Sequence, residues 1–86
     1  MIDVRTPGEY GQGHLANALS IDIYANDFKS RVGKLDKSKP VFVYCKAGSR
    51  SSSAVDIMSD MGFKEIYDLS GGIMAWQQAK KPIEKK

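Results

Sequence analysis

Apolar residues recur with two different periods along this chain of 86 residues. Met1–Val4 reads as a strand beginning at the first residue, and Leu19, Ile21 and Ile23 alternate with polar residues as in a short, half-exposed strand. Val41–Tyr44, β-branched and aromatic directly after Pro40, reads as a short buried strand, and Phe63–Leu69 supplies another. Between these runs the spacing becomes helical. Thr6 is placed to cap a short helical piece with Pro7 at its first position, and Asn26 or Asp27 to cap a second that ends near Gly33. Ala54, Val55, Ile57, Met58 and Met61 predict a helix from about Ser51 to Met61, closed by Gly62, with its opening serines satisfying the first amides. A last helix, from Ile73 to about Lys80, carries Trp76 as core packing and stops before Pro82. Strands alternating with helices over short connections predict a single α/β domain over residues 1–86, with a mostly parallel, four- to five-stranded sheet flanked by helices.

This order puts the only cysteine, Cys45, at the carboxyl end of a strand, on a tight loop leading into a helix. In open α/β sheets that edge is where ligands bind. The unpaired amides of the loop and of the first helical turn, together with the helix dipole, form a concavity suited to anions. The same field, with Lys46 and Arg50 close by in sequence, favours thiolate over thiol. An activated nucleophile facing an anion cradle points to covalent sulfur or phosphoryl chemistry. The competing reading is a buried, inert cysteine, but its next neighbours are Lys, Ala, Gly, Ser and Arg, not the apolar residues of a core. His14, the only histidine, has no orienting carboxylate in its local sequence, so it reads as structural and not as one half of a Cys-His pair.

Composition narrows the field. Thirteen Lys+Arg against ten Asp+Glu leave a net charge of +3, part of it in the tail 81–86, which is expected to fray. Without aromatic interleaving this excess does not describe a nucleic-acid surface, and no apolar run has the length of a membrane span. One cysteine excludes an internal disulfide and a resolving thiol, so anything that accumulates on Cys45 must be discharged by another molecule. No metal site and no cofactor are expected, and the chain is expected to be a monomer.

The loop Cys45-Lys46-Ala47-Gly48-Ser49-Arg50 resembles the six-residue active-site loop of single-domain rhodaneses, a family of sulfurtransferases. Ile2-Asp3-Val4-Arg5, Glu9-Tyr10, Gly13-His14, Gly62-Phe63 and Gly71-Gly72-Ile73 to Trp76 match the family in type and order, so the resemblance covers nearly the whole chain. It implies a rhodanese-like fold from which the family's N-terminal strand and helix are missing. It also implies that Cys45 is the nucleophile, that the amides from Lys46 to Arg50 hold the substrate, and that Asp3, Arg5, Glu9 and His14 form a supporting polar network. The implied activity moves a sulfane sulfur from thiosulfate or another persulfide donor, through a Cys45 persulfide, to an external thiol or a protein acceptor. A cytoplasmic protein is expected, or a periplasmic one if an upstream targeting segment has been removed.

Two other functions share parts of this description. A cysteine phosphatase or arsenate reductase is a second enzyme reading, because the cell-cycle phosphatases share the fold this resemblance implies, but the phosphatase loop places five residues between nucleophile and arginine where this chain has four, Lys46 to Ser49. A non-catalytic relative would lack the cysteine. Two roles remain open for Arg50, which would either bind the substrate or fix the loop through a carboxylate such as Asp3.

Overall fold

The structure is a computed structural model that describes residues 1–85. Lys86, part of the tail predicted to fray, lies outside the described residues. The elements are β1 (Ile2–Asp3), α1 (Pro7–Gln12), β2 (Leu19–Ser20), α2 (Phe28–Val32), β3 (Val41–Tyr44), α3 (Ser49–Asp60), β4 (Ile66–Asp68) and α4 (Gly72–Gln78). The four strands form one sheet in the order β2-β1-β3-β4, and every neighbouring pair is parallel.

Side-chain alternation along β3 divides the core between the two faces of the sheet. Val41 and Val43 pack with Ile2, Val4, Phe28 and Val32 of α2, and Ala54 and Met58 of α3. Tyr44 faces the other way, among Leu15, Ala18 and Ile73, with Tyr10, Trp76 and Ile83 partly buried around it. From β1 the chain connects outward to β2, and from β3 it connects outward to β4 on the opposite side. The carboxyl ends of β1 and β3 therefore flank the topological switch point, the crevice where open α/β sheets bind ligands.

Several boundaries differ from those the sequence predicts. β2 ends at Ser20, although the amides of Ile21 and Ile23 still donate to the carbonyls of Asp3 and Val4. Ile21 is buried, whereas Leu19, at the edge of the sheet, is half exposed. α3 begins at Ser49 instead of Ser51, with Gly48 at the cap position and no capping side chain. The serines do not satisfy its first amides: Ser51 and Ser53 donate to the carbonyls of Gly48 and Ser49. At α1, Thr6 and Glu9 cap each other's backbone amides in a capping box.

The tail is ordered further than predicted. Trp76 Nε1 donates to the Pro82 carbonyl at 2.8 Å, and His14 and Glu84 exchange backbone hydrogen bonds of 2.8 and 2.7 Å. Ile83 packs on the second core cluster, so the chain is held as far as Glu84. Trp76 is only partly buried, and its ring covers the edge of that cluster. Among the described residues no helix is long and apolar enough to cross a membrane.

Candidate functional site: a thiol loop at the switch point

Cys45 follows β3 directly, where Val43 and Tyr44 lie in register with Ile2 and Asp3 of β1. The loop is anchored at its start by α4. The amides of Ile73 and Met74 donate to the carbonyls of Cys45 and Lys46 at 2.9 and 3.0 Å. This approach needs glycine at position 72: its φ is +61°, and a Cβ there would lie 2.5 Å from the Lys46 carbonyl oxygen and closer still to that of Cys45.

Beyond Lys46 the loop turns back at Gly48, whose φ of 129° lies outside the range ordinary side chains favour. The Gly48 amide donates to Cys45 Sγ at 3.0 Å, and Ser51 Oγ lies 3.5 Å from the same sulfur. Cys45 is only 1% exposed. Burial alone would push its thiol up, but hydrogen bonds from the Ser51 side chain and from the amides of Ser51, Gly48 and Ala47 outweigh it and hold the thiol below its usual value. Lys46, Ala47 and Ser49 are exposed around the sulfur, and Gly48 and Arg50 are half-buried.

The structure separates the four residues expected to form one supporting network. Asp3 is gripped by Arg5, whose Nε lies 3.0 and 3.1 Å from the two carboxylate oxygens and whose Nη2 lies 2.6 Å from Oδ2. The Tyr44 hydroxyl donates to Asp3 at 2.7 Å and accepts from the Leu15 amide at 3.0 Å. Burial and the Asp3 carboxylate push the Tyr44 phenol well above its usual value, although the Leu15 amide opposes this, so its proton stays in place. Glu9 instead holds Arg50, with Nη1–Oε1 at 2.6 Å and Nη2–Oε2 at 3.0 Å. That bond, more than the Thr6 hydroxyl and amide, pulls the Glu9 carboxyl down to about 2. His14 joins neither group. Its ring stacks on Tyr10 with centroids 3.9 Å apart, Nδ1 lies 3.0 Å from the Leu15 carbonyl, and Nε2 is buried with no partner among the described residues. Arg5 and the Tyr44 hydroxyl engage Asp3, Arg50 and Thr6 engage Glu9, and the His14 ring is turned instead to Tyr10 and the Leu15 carbonyl.

The carboxylate that fixes Arg50 is therefore Glu9, not Asp3. Sequence reasoning also missed Tyr44 and Ser51 as members of the site. For Tyr44 a signal existed, because a phenol buried in a central strand must find a hydrogen-bond partner. On one side of the loop Arg5, Glu9, Gln12, Lys46, Ile73 and Gln77 line a cavity of about 270 Å³. On the other side a smaller one, about 160 Å³, is lined by Ile23, Tyr24, Ser49, Arg50 and Ser53.

A parallel sheet carrying an acidified thiol inside a loop of amides at its switch point is a setting for covalent thiol chemistry on an anionic substrate. The chain belongs to the rhodanese-like domain family, whose model matches residues 1–79. It is 41% identical over 75 residues to the thiosulfate sulfurtransferase GlpE of Coxiella burnetii, a match covering 87% of this chain and 68% of that one. It is 32% identical over 83 residues to a sulfurtransferase of Allochromatium vinosum, covering 96% of this chain and 76% of the relative. Among solved structures, a rhodanese-related protein from Thermoplasma volcanium superposes with a TM-score of 0.88 at 33% identity, over 99% of this chain and 82% of that one. A rhodanese with anions from E. coli superposes with a TM-score of 0.77 at 33% identity, over 99% and 95%.

Proposed function

We propose that this chain is a sulfurtransferase that carries a sulfane sulfur on Cys45 between an anionic donor, thiosulfate or another persulfide, and an external thiol or protein acceptor. The observation that carries this reading is the buried sulfur itself, reached at 3.0 Å by the Gly48 amide inside a loop whose hydrogen bonds favour the thiolate. In the first step the thiolate attacks the outer sulfur of thiosulfate, the sulfur–sulfur bond of the donor breaks, and sulfite leaves with the electron pair. Cys45 is then a persulfide anion. The acceptor attacks the outer sulfur, the bond to Sγ breaks, and the Cys45 thiolate is regenerated.

The amides from Lys46 to Arg50 would meet the charge that develops on the outer sulfur and on the donor's oxygens. Lys46 lines the larger cavity beside the loop, while Arg50 is engaged by Glu9, so Lys46 is the loop cation placed to attract a small anion. That engagement weighs against the phosphatase reading, in which the loop arginine grips two oxygens of a phosphate. The four-residue spacing points the same way, because a shorter ring of amides suits one sulfur atom better than a phosphoryl group.

Mass spectrometry after thiosulfate treatment tests the proposal. The expected result is a gain of about 32 Da, one sulfur atom by the chemistry of persulfide formation, abolished in Cys45→Ser, with negligible hydrolysis of aryl phosphates. Cys45-dependent hydrolysis of a phosphate monoester with no sulfur adduct would overturn it.

A further inference from the structure

Three consecutive serines stand in the first turns of α3, but only Ser51 turns inward; it is fully buried while Ser52 and Ser53 are exposed. A buried hydroxyl must have partners. Ser51 Oγ donates to the Gly48 carbonyl at 3.1 Å and lies 3.5 Å from Cys45 Sγ, and the Gly48 amide donates to the same sulfur at 3.0 Å. Cys45, Gly48 and Ser51 thus close a triangle of hydrogen bonds around the reactive atom. A hydroxyl has one proton and turns freely about its C–O bond. With Cys45 as a neutral thiol, the S–H donates to Ser51 Oγ and the Ser51 O–H donates to the Gly48 carbonyl. With Cys45 as a thiolate, the sulfur has only lone pairs to offer, and a hydrogen bond to a charged acceptor is the stronger of the two choices.

We propose that Ser51 is a thiolate-stabilising residue whose hydroxyl swings from the Gly48 carbonyl to Cys45 Sγ whenever that sulfur carries the negative charge. The hydrogen bond from the Ser51 side chain is the leading influence that lowers the Cys45 thiol against its burial, as this role requires.

The consequence for turnover rests on the sulfur-transfer reading. In the persulfide Sγ is bonded to carbon and sulfur, the charge sits on the outer sulfur, and the Ser51 hydroxyl returns to Gly48. Loading forms the Sγ–S bond, breaks the donor's S–S bond and expels sulfite; it also gives up the Ser51 bond. Unloading breaks the Sγ–S bond and leaves the electron pair on Sγ, where the hydroxyl receives it. Ser51 therefore makes Cys45 a better leaving group and, per thiolate, a weaker nucleophile.

The test compares wild type, Ser51→Ala and Ser51→Thr. The rate of Cys45 alkylation is followed against pH, and the single-turnover rates of loading by thiosulfate and unloading to cyanide are measured above all three midpoints. In Ser51→Ala the alkylation midpoint should rise by about one to two pH units, the loss of one hydrogen bond to a charged group. Loading should become about 3- to 10-fold faster and unloading slower by a similar factor. Ser51→Thr, which keeps the hydroxyl, should restore the wild-type midpoint. An unmoved midpoint in folded Ser51→Ala overturns the role of Ser51 whether or not Cys45 takes up sulfur. A shifted midpoint without any sulfur uptake overturns the sulfurtransferase reading alone. If Ser51→Ala does not fold, the Raman S–H band of the wild-type thiol decides, since the chain contains one cysteine. A band lowered by donation to Oγ supports the triangle, and one at the frequency of a non-bonded thiol overturns it.

Discussion

Arg50 presents two guanidinium nitrogens to Glu9, so the charge at the far end of the loop is neutralised before any substrate arrives. The folded-state pKa of Glu9, about 2 against an ordinary 4.5, makes this pair a pH-dependent clamp. A depressed carboxyl stabilises the fold above its unfolded pKa, and the contribution fades as pH falls from about 4.5 through about 2. Because the pair is partly open to solvent, its worth at neutral pH is about 1–2 kcal/mol after screening. Denaturation curves should therefore show Glu9→Gln less stable than wild type by that amount at pH 7, with the two converging as pH approaches 2. A gap independent of pH would mean that packing, not charge, supplies the contribution. The Cys45 alkylation midpoint should likewise lie below the free-thiol value of about 8.5. Cys45 stood out in the sequence because it follows a strand and is followed by Lys46, Gly48, Ser49 and Arg50. The pairing of Glu9 with Arg50, the reach of Tyr44 to Asp3 and the inward turn of Ser51 were not, since each depends on how separate elements pack.

α4 reaches the site without placing a side chain on the sulfur. Its opening amides hold the carbonyls of Cys45 and Lys46, an approach that the glycine at 72 alone permits. Gly72→Ala would meet both a positive φ and two carbonyl oxygens, so a loss of roughly 2–4 kcal/mol is expected. The displaced loop should also let the Cys45 alkylation midpoint drift upward, and thermal melting with alkylation across pH checks both effects. A stable variant with an unmoved midpoint would show that the helix start yields without disturbing the thiol. At this scale β3 and the Thr6-Pro7 helix start were readable, because the strand's propensity and the cap's chemistry are local. The ends of β2 and β4 were not, because a ladder stops where its neighbour stops. The start of α3 was misplaced for another reason. Its cap is a glycine with no side-chain signal, and the serines that suggested one instead donate to carbonyls.

For the molecule as a whole, alternating strand and helix signals conveyed the parallel sheet, while the docking of the tail left no local trace. Deleting residues 81–86 would remove the Pro82 acceptor of Trp76, the Lys81 ammonium 4.8 Å over the Trp76 ring, and the paired backbone bonds between His14 and Glu84. Melting should fall by roughly 4–16 °C, the effect of about 1–2 kcal/mol in a domain of this size. An unchanged melting temperature would show that these contacts add nothing. The two clamps beside the loop have a property in common: Asp3–Tyr44 and Glu9–Arg50 each join residues forty-one positions apart. Contacts at such separation must overcome the entropy of closing a long loop and form only as distant halves of the chain come together. On a growing or unfolded chain Cys45 is an ordinary thiol flanked by flexible residues. On the proposed function its chemistry is switched on by completion of the fold, and the reactivity of one sulfur atom then becomes a record of whether the chain has finished folding.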